Sequence, residues 1–329
     1  MKKIMNRPED LVDEMLDGIA WVHSDLVERL PGADVIHRKA EKTGKVGLIS
    51  GGGSGHEPSH AGFVGDGMLS AAVAGAIFTS PTPDQILEAI KASDEGNGVF
   101  MVVKNYSGDV MNFDMAKDLA EMEDIPVDFI VVDDDIAVED STYTQGRRGV
   151  AGTIMVHKIL GDAARNGKSL SEIKAIAQEL VPEIKTIGVA LSGATVPEVG
   201  KPGFVLPDDE IEYGVGIHGE PGYRREKLKP SRELAEELVS KLLREFDPKP
   251  DDRFGVLING LGSTPLQEEY VFARDVSELL KKAGVDVVWT KIGDYMTSID
   301  MAGLSLTLIR LKEPEWLDAL NSDVETPAW

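Results

Sequence analysis

Short apolar runs alternate with segments of helical periodicity along the first half of the chain. The runs have the length of buried strands, and the segments between them repeat apolar residues every three or four positions. Strands that are apolar throughout, with helices between them, indicate a parallel sheet covered by helices on both faces. The predicted strands are 46–50, 99–103 and 127–132, and the predicted helices are residues 1–30, 82–92 and 110–121.

The second half continues the same alternation with helices 147–165, 169–181, 231–246 and 267–282 and strands 186–191, 211–217, 254–258, 285–291 and 304–311. A chain of 329 residues exceeds the usual size of one domain. We therefore predict an α/β protein with two domains. Residues 1–185 form a mostly parallel sheet covered by helices on both faces, and residues 186–329 form a second, smaller α/β or α+β domain.

Composition narrows the function classes. The 57 acidic and 34 basic side chains give a net charge of −23, which disfavours binding to nucleic acid or to anionic membranes. No apolar run reaches the length of a membrane span, and no signal peptide is visible, so we expect a cytoplasmic protein. The chain has no cysteine, which excludes thiolate catalysis and cysteine-ligated metals.

Polar groups follow two predicted strands of the first half and one of the second. His56 follows a glycine-rich turn at 51–55, Lys104 and Asp109 follow the strand 99–103, and His218 lies between Gly216 and Gly219. Because open α/β sheets bind ligands beyond the carboxyl ends of their strands, we expect these groups to form one site.

The residues alone do not decide which chemistry each group performs. The glycine turn could cradle a phosphate, but no Walker-type lysine closes it, so it could instead let the backbone contact a very small ligand beside His56, or simply form a capped turn. His218, without apolar surroundings, could add to a carbonyl carbon, act as a base or, least favoured, bind a metal.

Three acidic or basic groups have an ordinary structural interpretation beside the functional one. Asp109 is expected at the start of a helix, where capping and catalysis are equally consistent with the sequence. Lys104 could orient a substrate oxygen or be solvated at a strand end. The run 133–135, three aspartates, is interpreted as an exposed strand end with no magnesium.

Six segments together resemble the dihydroxyacetone kinase K-subunit family, in order and over nearly the whole chain. They are GGGSGHEPSHAGFVG (51–65), NYSGD (105–109), GRRG (146–149), GIHGEPG (216–222), GDYMTS (293–298) and DMAGLS (300–305).

The resemblance implies a subunit that holds dihydroxyacetone as a covalent hemiaminal on a histidine, here His218. It implies that Asp109 is the general base on the hydroxyl that becomes phosphorylated and that His56 polarises that hydroxyl. The positions that match the rest of the substrate pocket are Gly53, Ser54, Gly55 and Lys104.

The resemblance also implies partners. Because the sequence stops at Trp329, where ATP-dependent members continue into a nucleotide-binding domain, it points to the split form of the kinase. A separate L subunit would then carry ADP or ATP with magnesium, recharged by a phosphotransferase-system protein, and this chain would hold no cofactor or metal of its own. Family members are homodimers.

Two rival functions stay open. A catalytically inert relative binds dihydroxyacetone covalently and acts as a coactivator of a transcription regulator, which needs His218 but not the base Asp109. A lipid-binding protein of related two-domain fold would need an apolar tunnel instead, and the glycine setting of His218 disfavours it.

Overall fold

The computed structural model describes residues 2–139, 141 and 144–329 and contains two six-stranded sheets with helices packed on them. The first sheet consists of β1 (Val27–Arg29), β2 (Val35–Arg38), β3 (Gly47–Ser54), β4 (Ala71–Ile77), β5 (Val99–Lys104) and β6 (Val127–Val132). The α-helices of this half are α1 (Leu11–Val22), α2 (Pro83–Ser93), α3 (Ser107–Glu121), α4 (Thr153–Arg165) and α5 (Leu170–Leu180). Short 3₁₀ helices lie at Pro8–Asp10, Ala61–Phe63 and Val181–Glu183.

The second sheet consists of β7 (Ile184–Ala190), β8 (Glu210–Tyr213), β9 (Arg224–Lys227), β10 (Arg253–Gly260), β11 (Asp286–Gly293) and β12 (Gly303–Arg310). The α-helices in this part of the sequence are α6 (Ser231–Phe246), α7 (Leu266–Lys282) and α8 (Pro314–Asn321). Among the described residues, no helix is long and apolar enough to cross a lipid bilayer.

The first sheet has the order β1-β2-β4-β3-β5-β6, and β4, β3, β5 and β6 run parallel to one another. Side chains of β5 alternate between two cores: Phe100 and Val102 pack with α4 and α5, while Met101 and Val103 pack with α2 and α3. Burial on both faces explains why the strand is apolar throughout, and it confirms the predicted helix-covered, mostly parallel sheet.

The second sheet is mixed, with the order β11-β10-β12-β7-β8-β9, and only the β10–β11 pair is parallel. The α/β two-domain class is therefore confirmed. The boundary predicted between residues 185 and 186 falls at the start of β7 and remains a prediction. The terminal helix α8 returns to the first half and packs against α4.

Three local predictions are wrong. The glycine run 51–53 is not a turn but pairs with β4 as part of β3. Glycine is needed at 51 because a Cβ there would lie 2.5 Å from the carbonyl oxygen of Val73 on β4. Residues 27–29, predicted helical, pair with β2 as an antiparallel strand. β8 ends at Tyr213 rather than at 217, and residues 214–222 form a loop.

Candidate active site

His56, Asp109 and His218 come together at the carboxyl ends of the first sheet's parallel strands. His56 follows β3, Asp109 lies in the first turn of α3 after β5, and His218 comes from the loop after β8 of the second sheet. Asp109, His218 and Gly53 all line one cavity of about 620 Å³. Nε2 of His56 lies within hydrogen-bond distance of His218, so the structure brings the three side chains together, and their joint role in one site remains a prediction.

His56 is fully buried, and its ring is stacked on Phe78 with centroids 5.2 Å apart. Its Nδ1 lies 2.8 Å from the backbone carbonyl oxygen of Thr297, in the segment that follows β11. Since a carbonyl oxygen only accepts hydrogen bonds, Nδ1 carries a proton, and Nε2 faces His218. Burial, with the charges of His218 and Lys104, holds the pKa of His56 well below its usual value.

His218 is oriented by a carboxylate two residues away. Its Nδ1 lies 3.1 Å from Oε1 of Glu220, and its backbone N–H donates to Oε2 at 2.9 Å. The edge of its ring packs against Tyr106, with centroids 4.5 Å apart. Since a carboxylate accepts, Nδ1 carries the proton, and Nε2 is the atom left to react.

Glu220 remains a carboxylate in spite of its burial. Burial raises its pKa, but the hydrogen bond and charge of His218, together with the charge of Arg148, bring the pKa below its usual value. Glycine is required at 216, because a Cβ there would lie 2.0 Å from Oε2 of Glu220.

Arg148 in turn is held by Asp135, to which its Nε donates at 2.7 Å, and by the carbonyl oxygen of Gly214. Asp134 and Asp135 are thus buried, and the prediction that 133–135 is an exposed strand end is wrong for them. Asp134 accepts from the backbone N–H groups of Val150 and Gly152, in the segment that directly follows GRRG.

The two imidazoles contact each other through Nε2 atoms 3.0 Å apart. The contact with the Thr297 carbonyl needs one proton, the contact with Glu220 needs a second, and the Nε2–Nε2 hydrogen bond needs a third. Two neutral imidazoles carry only two. All three bonds therefore form only when the histidine pair holds one extra proton, whose charge Glu220 balances.

Asp109 is buried in the first turn of α3. The hydroxyl of Ser80 donates to its Oδ1 at 2.5 Å, and the ammonium of Lys104 lies 3.5 Å from Oδ2. The N-cap position of the helix is Tyr106, so Asp109 is not the capping residue.

Lys104 is buried. The alternative in which it is solvated at a strand end is therefore wrong. Its Nζ lies 3.1 Å from the carbonyl oxygen of Gly51 and 3.0 Å from Nε2 of His60. Burial lowers its pKa, while the charge and hydrogen bond of Asp109 oppose that change.

The remaining predicted residues have different surroundings. Gly53 lines the cavity, but Ser54 and Gly55 do not. The Ser54 hydroxyl donates to the carbonyl oxygen of Gly75 on β4, and the backbone N–H of Gly55 donates to the carboxylate of Glu57. Both therefore lie outside the lining of the cavity.

Three residues of the site were not singled out from the sequence: Ser80, Thr297 and Glu220. Of these, only Glu220 had a local signal, since it follows the glycine-flanked histidine by two positions. Among the residues that the structure describes, no group of three or more histidine, aspartate or glutamate side chains lies close enough to hold a metal.

The fold and the site define a class, which is an α/β protein of two sheets with two imidazoles, a carboxylate and a buried lysine at or beside one cavity. The chain belongs to the Dak1 domain family, whose match covers residues 17–328. The family resemblance predicted from the six segments is thereby confirmed.

Named relatives span the whole chain. The "PTS-dependent dihydroxyacetone kinase, dihydroxyacetone-binding subunit DhaK" of Lactococcus lactis is 63% identical over 328 residues, covering 100% of this chain and 99% of that protein. The "DhaKLM operon coactivator DhaQ" of the same organism is 46% identical and covers 99% of this chain and 100% of that protein. The dihydroxyacetone kinase of C. freundii has a TM-score of 0.92 and 35% identity, covering 100% of this chain and 60% of that one.

Proposed function

We propose that this chain is the dihydroxyacetone-binding subunit of a dihydroxyacetone kinase. The relative that is 63% identical end to end carries that description. The observation that carries the proposal is the contact of His218 Nδ1 with Glu220, which directs Nε2 of His218 toward His56 at the edge of the cavity that Asp109 and His218 line. A nucleophile and a base are thus directed at the same small space.

Capture of the ketone begins when its carbonyl replaces the direct contact between the two imidazoles. The extra proton moves to Nε2 of His56, and the free lone pair of His218 attacks the carbonyl carbon. A C–N bond forms, the C=O π bond breaks, and the oxygen takes the proton from His56. The imidazolium left on His218 keeps its Nδ1–H on Glu220, so the charge within the site is conserved.

This covalent step suits a substrate with few atoms for recognition. Hydrogen bonds alone give a three-carbon polyol limited affinity, since binding free energy is bounded by the number of heavy atoms. A bond to the carbonyl carbon also rejects glycerol, which has the hydroxyls but no carbonyl. It fixes the terminal hydroxyl for in-line attack.

Phosphoryl transfer then depends on Asp109 and its neighbours. Oδ2 of Asp109 accepts the hydroxyl proton, while Ser80 holds Oδ1 and Lys104 supplies positive charge. His56, freed of the extra proton, has an unprotonated Nε2 and can only accept a hydrogen bond from a substrate hydroxyl. Cavities near 620 Å³ hold drug-sized ligands, so there is space beside a three-carbon substrate for an incoming phosphate.

The phosphoryl donor is proposed to be ATP with magnesium on a separate L subunit, recharged from ADP by a phosphotransferase-system protein, since the relatives of similar length are named PTS-dependent. We further propose a cytoplasmic homodimer.

The alternative is a coactivator, as the 46% identical relative is named. The buried arrangement of Asp109, Ser80 and Lys104 favours the kinase, because capture alone has no need of a base for a hydroxyl.

The deciding experiment mixes this chain with an ADP-loaded, phosphorylated L subunit and dihydroxyacetone. Formation of dihydroxyacetone phosphate is followed as NADH oxidation by glycerol-3-phosphate dehydrogenase. Steady product formation supports the kinase subunit, whereas a covalent adduct without product would move the assignment to the coactivator.

A further inference from the structure

A chain of three buried polar groups lies behind Asp109. Nζ of Lys104 is 3.0 Å from Nε2 of His60, and Nδ1 of His60 is 2.9 Å from Nε2 of His157. His60 precedes the 3₁₀ turn at Ala61–Phe63, and His157 lies on α4, so two elements outside the cavity contribute to the chain. His157 is 0% exposed and His60 is 6% exposed.

The protons of this chain can be placed by counting donors. A lysine ammonium only donates, so Nε2 of His60 accepts and its proton is on Nδ1. Nδ1 then donates to Nε2 of His157, which leaves the proton of His157 on its own Nδ1. That atom is buried without a hydrogen-bond partner among the residues that the structure describes.

The unpaired N–H of His157 is unfavourable for folding, because a buried donor without a partner keeps its full desolvation cost. Most neighbours of His157 on α4, such as Met155 and Ile159, are buried apolar residues, and the ring of Phe63 lies 6.5 Å away. An apolar side chain would suit this position better. Packing therefore gives no reason for a histidine at position 157. The reason is its Nε2 atom, which accepts the hydrogen bond from Nδ1 of His60.

We propose that His60 and His157 are positioning residues that hold Lys104 as a charged donor beside Asp109: His157 fixes the tautomer of His60, and His60 accepts one ammonium proton. The carbonyl oxygen of Gly51 accepts a second at 3.1 Å. The third is left for Oδ2 of Asp109, at 3.5 Å, or for a substrate oxygen. The inference goes beyond the proposed function but rests on it for the role of Lys104.

Loss of the acceptor at 157 has a defined electrostatic consequence. The titratable groups that face Lys104 are Asp109 and His60, and His56 and His157 feel its charge from farther away. Without His157, the proton of His60 can move from Nδ1 to Nε2. The Nε2–H group then points at the ammonium group of Lys104, and both groups are hydrogen-bond donors. The charged form of Lys104 is disfavoured, so the alkaline limb of the kcat/KM profile moves to lower pH.

Two replacements separate this role from packing. His157→Leu removes the acceptor and the unpaired donor together, while His157→Gln puts an amide oxygen near the position of Nε2. Met155→Leu, a buried change on the same helix, is the control. We expect the leucine variant to lose on the order of tenfold to a hundredfold in kcat/KM, to shift its alkaline limb and to fold normally. Glutamine should recover most of the activity, and the control should keep it.

A second measurement does not depend on turnover. In the full chain with ¹⁵N-labelled histidine, side-chain NMR should show His60 protonated at Nδ1 and unprotonated at Nε2. A proton on Nε2 of His60, or a leucine variant with wild-type kcat/KM and alkaline limb, would overturn the inference. If the wild-type protein forms no product with an L subunit, the proposed function fails, but the tautomer result still stands. If the leucine variant does not fold, the glutamine variant and the wild-type spectrum still decide.

Discussion

Nδ1 of His218 lies 3.1 Å from Oε1 of Glu220, whose other oxygen accepts the backbone N–H of His218 itself. One carboxylate thus fixes both the tautomer of the ring and the loop that carries it. In hydrolytic triads a carboxylate orients the imidazole base in the same way, although here the imidazole itself is the proposed nucleophile.

Glu220→Gln should slow covalent capture. An amide can place its oxygen on only one of the two donors of His218 and must present an N–H group to the other, and it loses the charge that balances the imidazolium. We expect capture to slow by roughly a hundredfold, measured by native mass spectrometry over time after mixing with dihydroxyacetone. Glu212→Gln, which alters a buried carboxylate bonded to Gly222 in the same loop, is the matched control. Equal rates in both variants would remove Glu220 from its role.

His218→Ala should abolish the adduct while leaving the cavity open. Glu220 then loses its ring partner, but Arg148 still supplies a nearby positive charge, so the fold should persist. Native mass spectrometry with dihydroxyacetone, and with glycerol as the ligand that lacks a carbonyl, checks the result. An adduct that survives in this variant would place the bond on another residue.

Asp109→Asn should keep the adduct and lose turnover. The amide keeps the shape and can still accept from Ser80, but it takes up no proton from the substrate hydroxyl. We expect kcat to fall by about a hundredfold to ten-thousandfold with the adduct intact. Retained turnover with an L subunit would contradict the role of Asp109 as a base.

Sequence patterns predicted the parts of this fold that depend on local chemistry. α6 begins and ends at the predicted residues, Ser231 and Phe246, and Ser169 forms a capping box at the start of α5. The strands β1, β2, β4 and β9 were missed, because pairing with neighbouring strands, rather than a local periodicity, defines them. The glycines of β3 were interpreted as a turn, since only the neighbouring backbone shows that close approach requires them there.

The site was predictable to a similar extent. His56, Asp109 and His218 follow strand ends or glycines and could be singled out. Thr297 and Ser80 could not, because the first contributes only its carbonyl oxygen and the second lies in an ordinary turn before α2. The burial of Asp134 and Asp135 depends on Thr186 and Arg148, which approach only in the folded chain.

Gly52→Ala should test whether the position of the Lys104 ammonium group matters, without replacing Lys104 itself. A Cβ at this position would lie 2.4 Å from Nζ of Lys104 and 3.4 Å from Oδ2 of Asp109. The contact is with the end of a flexible side chain, so the ammonium must move away from Asp109. The φ of +158° at Gly52 adds backbone strain, so the urea unfolding transition of the variant is measured beside its activity. We expect a loss of at least about tenfold in kcat/KM. Gly18→Ala, on α1 with no atom within 4 Å of the added Cβ, should keep activity and gain up to about 1 kcal/mol in stability. Equal activity of the two variants would mean that the position of Lys104 is unimportant.

Buried neutral histidines should make the protein less stable in mild acid. Burial lowers the pKa of His157 to about 3, and burial with the charges of Lys104 and His157 lowers that of His60 well below its usual value. In the unfolded chain a histidine binds its proton near pH 6.5, so between about pH 6.5 and 3 the unfolded state binds protons that the folded state does not. The free energy of unfolding therefore falls as the pH falls through this window, by about 1.4 kcal/mol per pH unit for each such histidine.

Comparing the wild type with His157→Leu isolates the contribution of the proton that His157 binds in the unfolded chain. Urea unfolding of both proteins at pH 7 and pH 5 should show that the leucine variant loses about 2 kcal/mol less than the wild type over that interval. The carboxylates titrate alike in both proteins, so their contribution to the unfolding free energy cancels when the two losses are subtracted. Parallel losses in the two proteins would mean that His157 takes up a proton in the folded state, and then it could not serve as the acceptor for His60.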